Sequence, residues 1–349
     1  MTGGLLSVGR MRSLWFHGPG DLRWREVDEP VLDGGRDAIV RPVAVATCDL
    51  DTAVVAGKAP LAGPYPFGHE FVADVVAVGD EVTSVAAGDR VIVPFQVSCG
   101  ACDPCARGLT GSCRAVPYMS AYGLGALGGL QWGGALADLV RVPFADAMLV
   151  AAPAGIEPAV VASMSDNIPD GWRTVGPTLA AEPGAPVLIV GGGAASIPFY
   201  AAAIARVLGA ERVDYLDRDA DRLARAERVG ATPIESDWSS KHGHYPIVVD
   251  ASGQADGLRY ALASTAAGGT CTSIAPYFQD VVLPLLSMYT RGVTFVTARV
   301  DARAVIPKAL ALVTDGRLDP SLVTETVAPW DDAPDALATH TAKTVIVRP

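Results

Sequence analysis

The chain has 349 residues, 37 of them glycine, and half of it is hydrophobic, a composition that suits two compact domains with large apolar cores rather than a disordered or fibrous protein. Its formal net charge of −11 argues against nucleic acid or an anionic membrane surface as partner, because both require clustered positive charge. Apolar runs such as FYAAAIARVLGA are broken by Arg206 or glycine, well short of the ~20 residues that span a bilayer, so no membrane partner is expected and small-molecule chemistry becomes the default.

The opening stretch MTGGLLSVGRMRSLWFHG has neither the apolar core nor the small-residue cleavage pattern of a secretory leader, and a cytoplasmic location is expected. A strand-like pattern begins at Met11; residues 1–10 read as either a disordered arm or an over-extended start. Next, VATCDLD carries Cys48 and PFGHEFVADVVAVG carries His69 and Glu70. Taken alone, a histidine beside a glutamate suits a structural role as well as metal ligation.

The segment VSCGACDPCARGLTGSC carries Cys99, Cys102, Cys105 and Cys113 in the spacing C-x2-C-x2-C-x7-C. In a reducing compartment four such thiolates can converge on one tetrahedral zinc ion. Gly100, Gly108 and Gly111 let the loop wrap the ion, and four sulfur ligands leave no open position, so the site is structural. Buried thiols or an iron–sulfur cluster are the alternative readings.

Further on, PVLIVGGGAASIPFYAAAIARVLGAERVDYLDRDADRL reads as a strand over Val187–Val190, a glycine-rich turn, a helix, and a second strand ending at Asp217. Gly191 permits the tight turn and Gly193 the close approach of a pyrophosphate at the helix N-terminus. Ser196 stands where the fingerprint has its third glycine. Asp217 can accept from ribose hydroxyls and repel a 2′-phosphate, favouring NAD, although Arg218 and Arg222 could reach such a phosphate and keep NADP open. A turn at Gly268 and Gly269 leads into a strand holding Cys271, a core thiol. Near the end, AVIPKALALVTDGRLDP predicts a helix with a glycine stop.

The order TCxxD, GHE, AGDRVIVPF, four-cysteine lobe and nucleotide-binding half resembles the zinc-dependent medium-chain alcohol dehydrogenases from about Met11 to Pro349. The resemblance implies an α/β protein. A GroES-like, mostly-β catalytic domain takes residues 1–165 and 298–349, with the zinc lobe at about 95–115, and a Rossmann doubly wound parallel sheet takes 166–297. It also implies an active site in the cleft between domains and a homodimer or homotetramer. Cys48, His69 and a third residue would hold a catalytic zinc with one open position. That third ligand falls five residues before a glycine; counted back from Gly171 in SDNIPDGWRTV it is Asp166. This resembles the formaldehyde dehydrogenase and dismutase branch, in which aspartate replaces the third cysteine. Glu70 is then a transient extra ligand or a neighbour that supports the ligands, and Asp51 a structural carboxylate.

Two departures stand out. The family relays the alcohol proton through a hydroxyl two residues after the first ligand, often with a histidine five residues after it; here these are Leu50 and Ala53, and neither carries a dissociable proton. The threonine that precedes the glycine is Asp170, which reads as an acid–base group or attractor of a cationic substrate, or else as a cap for a helix beginning near Trp172. Leu50 and Phe95 match positions lining the substrate pocket; Tyr122 and Trp132 are further candidates, with core packing as the alternative. The implied activity is hydride transfer between NAD(P) and a small or medium alcohol or its carbonyl partner, with two zinc ions per chain. Reduction of an iminium or conjugated C=C bond, and a nucleotide-binding structural protein without turnover, are the rival readings.

Overall fold

The computed structural model describes residues 9–240, 242–339 and 343–349, so most of the N-terminal arm lies outside the described residues. The chain divides into two compact units. One comprises Met1–Ser165, Asp301–Ala304 and Thr326–Pro349, the other Asp166–Val300 and Val305–Glu325. The family pattern gives everything from 298 onward to the first unit, whereas residues 305–325 belong to the second. Packing explains the difference: the Lys308 ammonium sits 5.2 Å from the Trp172 ring centroid, Arg317 donates to the Val207 carbonyl, and Arg225 and Arg228 both reach Glu325.

In the first unit a three-stranded antiparallel sheet sets Arg10–Gly18 between Asp21–Asp28 and Tyr65–Pro66. A seven-stranded sheet runs through Thr326–Pro329, Thr344–Val347, Ala38–Ala46, Glu70–Val78, Arg90–Val93 and Val150–Ala151, with Val140–Val142 joined to Ala38–Ala46. Their inward residues, among them Leu14, Phe16, Val40, Phe67, Phe71, Val93 and Ile346, form one buried cluster. Two pairings matter for function. Ala46 pairs with Glu70 and Phe71 pairs with Val93. The strand ends that carry Thr47–Cys48, Gly68–His69 and Pro94–Phe95 therefore open at one end of the sheet.

The second unit is a six-stranded parallel sheet: β1 Val187–Val190, β2 Val213–Asp217, β3 Thr232–Glu235, β4 Tyr245–Asp250, β5 Thr265–Ser273 and β6 Thr294–Thr297. The strand order is 3-2-1-4-5-6, that of the doubly wound dinucleotide-binding fold, whose crevice opens where the order reverses between β1 and β4. All four residues of β1 are fully buried, as befits a strand covered on both faces. Its helices are α1 Asn167–Ala181, α2 Ile197–Val207, α3 Ala220–Arg228, α4 Ala255–Ser264 and α5 Leu285–Arg291. The predicted turn at Gly268 and Gly269 is instead inside β5. Gly268 has φ of +73° and the β4–β5 register slips between Tyr245 and Ile247, so the glycines make a bulge rather than a strand start. Cys271 is fully buried, as expected. The predicted C-terminal helix spans Ala302–Thr314, and Gly316 at φ +69° stops it. Among the described residues no helix is long and apolar enough to cross a membrane.

Candidate active site

The ligand atoms of Cys48, His69, Glu70 and Asp166 all lie within 4.8 Å of one another, and all four residues are buried. Local chemistry fixes each one. The Asp51 carboxylate accepts from the Cys48 backbone N–H at 3.0 Å and faces His69 Nδ1 at 3.4 Å. It thereby holds Cys48 and stands beside the imidazole, the arrangement by which a carboxylate can orient a metal-binding histidine. Ser165, the residue before Asp166, is stapled to the strand after Glu70: Phe71 N–H donates to its hydroxyl at 2.9 Å and the hydroxyl donates back to the Phe71 carbonyl at 3.0 Å. Glu70 Oε2 accepts from the Lys343 ammonium at 2.9 Å, and that ammonium also donates to the Thr47 carbonyl. The side chains of both Glu70 and Lys343 are at most 1% exposed. The donor set, one thiol, one imidazole and carboxylates in a single cluster, fits zinc.

The four cysteines also converge, with all sulfurs within 4.8 Å of one another. Cys102 Sγ and Cys113 Sγ are 3.9 Å apart, close to the edge of about 3.8 Å of a tetrahedron with 2.3 Å Zn–S bonds. Backbone N–H groups of Cys99, Cys102 and Arg114 each point at a sulfur at 3.4 Å. The one from Arg114 is the main cause that pulls the Cys102 thiol down to about 6. The donor aimed at Cys102 favours its thiolate, the form that ligates metal, while burial pushes the Cys105 and Cys113 thiols up, and no sulfur is in a disulfide.

In the second unit the glycine-rich turn is shaped by what surrounds it. A side chain at Gly191 would lie 2.6 Å from the Tyr215 hydroxyl and against Asp217, and one at Gly193 would lie 2.8 Å from the Ser252 carbonyl. Both glycines are needed for close packing of the turn as well as for an incoming phosphate. Ser196 caps α2 by position; its hydroxyl donates to Asn167 Oδ1 at 2.9 Å, and Asn167 Nδ2 donates to Asp166 Oδ2 at 3.3 Å. Asn167 was not singled out by sequence, yet it links the candidate ligand Asp166 to the end of the nucleotide turn. Asp217 ends β2, 1% exposed, and accepts from the backbone N–H groups of Arg218 and Asp219 and from both Nε and Nη2 of Arg222. Arg218 stacks 4.9 Å from the Trp238 ring centroid.

The Phe95 ring centroid is 5.6 Å from that of His69, and partly buried Leu50 packs on the core of the first unit. Tyr122 is completely buried, edge-on to Phe71, with its hydroxyl on the Arg141 carbonyl, and Trp132 packs on the same core. Asp170 is not an isolated carboxylate and does not cap a helix at Trp172. The helix begins at Asn167, and Asp170 lies in its first turn, paired with Arg173 Nε.

The model of the alcohol dehydrogenase GroES-like domain matches residues 34–154. A probable zinc-binding alcohol dehydrogenase of Mycobacterium tuberculosis is 30% identical over 340 residues, covering 95% of this chain and 86% of that one. A glutathione-independent formaldehyde dehydrogenase of Pseudomonas aeruginosa is 34% identical over 232 residues, 63% of this chain and 57% of the relative. Among solved structures, an alcohol dehydrogenase from Thermus sp. ATN1 superposes with a TM-score of 0.87 at 28% identity, covering 97% of this chain and 100% of the other. With this likeness along nearly its whole length, the chain belongs to the zinc-type medium-chain alcohol dehydrogenase family.

Proposed function

We propose that the protein moves a hydride between a nicotinamide dinucleotide and a small or medium alcohol or its carbonyl partner. Cys48, His69 and Asp166 hold the catalytic zinc, and Cys99, Cys102, Cys105 and Cys113 a structural one. The observation that carries the reading is the convergence of the Cys48, His69 and Asp166 ligand atoms within 4.8 Å, since three protein ligands leave one position of a tetrahedral zinc open for a substrate oxygen, which a purely structural protein has no use for. Bound there, zinc lowers the pKa of an alcohol and polarises a carbonyl, while the nicotinamide ring takes or gives the hydride.

The chain's own residues set up that chemistry. Asp51 orients His69 and Cys48, and Lys343 balances the charge of Glu70. This leaves the Cys48 thiolate and the Asp166 carboxylate to match a dication, which supports the aspartate branch of the family. Phe95 presents an apolar ring beside the imidazole. Leu50 and Ala53 offer no proton path, a feature that favours one rival, reduction of a conjugated C=C bond. The iminium version loses its support, because the Asp170 charge is matched by Arg173.

NAD is the proposed cofactor. Asp217 stands at the end of β2, and the two arginines able to meet a 2′-phosphate are engaged elsewhere, Arg222 on Asp217 and Arg218 on Trp238. Following absorbance at 340 nm with NAD and NADP, in both directions, tests both points. Alcohols or their carbonyls should turn over, with kcat/KM at least roughly tenfold higher for NAD, the scale of one charge-assisted contact. Turnover confined to conjugated alkenes would replace the reaction, and a preference for NADP would replace the cofactor.

The proposed homo-oligomer forms through the second unit. Helix α5 exposes Leu286 at 77% and Tyr289 at 83% beside β6, the open edge of the parallel sheet. Apolar surface next to an unpaired strand edge is what a twofold copy can cover by continuing the sheet. Light scattering should give a dimer or tetramer for the native chain and a smaller species for Leu286→Asp with Tyr289→Asp; a native monomer at micromolar concentration refutes it.

A further inference from the structure

Asp170 and Arg173 form a largely buried charged pair in the second unit. They lie on one face of α1, four and seven residues after its N-cap residue Asp166. Their side chains retain only 11% and 13% of their exposure. Arg173 Nε binds Asp170 Oδ1, and its Nη2 makes a long contact, 3.4 Å, with the carbonyl of Ser273, the last residue of β5. A buried guanidinium in the N-terminal half of a helix is disfavoured both by desolvation and by the helix dipole. Asp170 offsets the charge and also fixes which way the guanidinium faces.

With Nε taken, the guanidinium turns its other edge, Nη1 with Nη2, away from Asp170. Nη1 makes no hydrogen bond among the described residues, and Nη2 only the long one to Ser273. That edge is the one that binds a carboxylate through two parallel N–H···O bonds. It lies at the carboxyl end of β5, where ligands of a doubly wound sheet sit. A pyrophosphate belongs instead at the turn from β1 into α2, so the β4–β5 side is left for the nicotinamide half and the substrate.

We propose that Arg173 binds a carboxylate of the substrate, with Asp170 as the residue that positions it, so that the enzyme selects hydroxy acids and the matching oxo acids over neutral alcohols. The inference rests on the oxidoreductase reading. Seven residues of helix span about 10 Å, and the arginine side chain covers part of that distance. The carboxylate should therefore stand a few bonds from the reacting carbon. In the reaction that carbon gives its hydride to the nicotinamide, the hydroxyl gives its proton to water, and the carboxylate is unchanged.

The test compares 4-hydroxybutyrate with 1-butanol on the zinc-loaded full chain, and measures butyrate binding to the NADH-loaded protein by calorimetry. The acid should exceed the alcohol in kcat/KM by roughly 10- to 100-fold, the worth of a charge-assisted hydrogen bond. Arg173→Gln should lower that ratio and weaken butyrate binding by a similar factor, with Arg173→Lys between the two. Equal use of acid and alcohol by the native enzyme overturns the proposal, as does butyrate binding that is indifferent to Arg173. If neither compound turns over while butyrate binding still depends on Arg173, the oxidoreductase reading fails and the carboxylate site stands.

Discussion

Asp166→Ala is expected to lose one of two zinc ions per chain and to lower turnover by roughly a thousandfold or more, since a Lewis-acid metal supplies several kcal/mol of transition-state stabilisation. The reason is local. Asp166 is the only residue of its segment whose ligand atom enters the cluster with Cys48 and His69, and its backbone is held in place by the Ser165 staple to Phe71, which the substitution leaves intact. Metal analysis by plasma mass spectrometry, read beside kcat, separates the two sites: Cys105→Ser should remove the other zinc and lower the melting temperature. Asp166→Cys should keep two zinc ions, because a thiolate restores the same charge at the same position. Retention of both ions and of turnover by Asp166→Ala would show that Glu70 rather than Asp166 is the third ligand.

The sequence made part of this site legible because of how the chain brings it together. Cys99, Cys102, Cys105 and Cys113 are neighbours in sequence, so spacing alone predicts their convergence. Cys48 and His69 are distant, and a fold-specific event joins them: the antiparallel pairing that sets Ala46 opposite Glu70. Only the family resemblance carried that information. Lys343 was invisible for a different reason. It lies 273 residues from Glu70, and lysine is almost never fully buried, so nothing marks this one as a partner inside the core. Arg173 stands three residues from Asp170, but that spacing alone does not tell an ion pair from a carboxylate turned toward a substrate. The fate of residues 305–325 shows the same limit. The helical period is plain in the sequence, but the unit it packs on depends on Trp172, Val207 and Arg228, which lie far away along the chain.

The buried Lys343–Glu70 pair leads to a second expected result of large size. Lys343→Met removes the cation from a carboxylate that has no exposed surface, and breaking one half of such a pair costs about 3–5 kcal/mol. For a unit of this size that is about 10 °C in melting temperature. The lost bond to the Thr47 carbonyl adds to the effect and strikes the residue that leads into Cys48. Charge is the main cause, and a double substitution tests it: Lys343→Met with Glu70→Gln should recover most of the loss, because a neutral amide no longer needs a cation in the core. A double variant as unstable as the single one would mean that Lys343 acts through packing. A single variant as stable as the native chain would mean that another cation balances Glu70. The bound metal is the nearest candidate, and zinc content measured alongside the melt would then fall as Glu70→Gln is introduced.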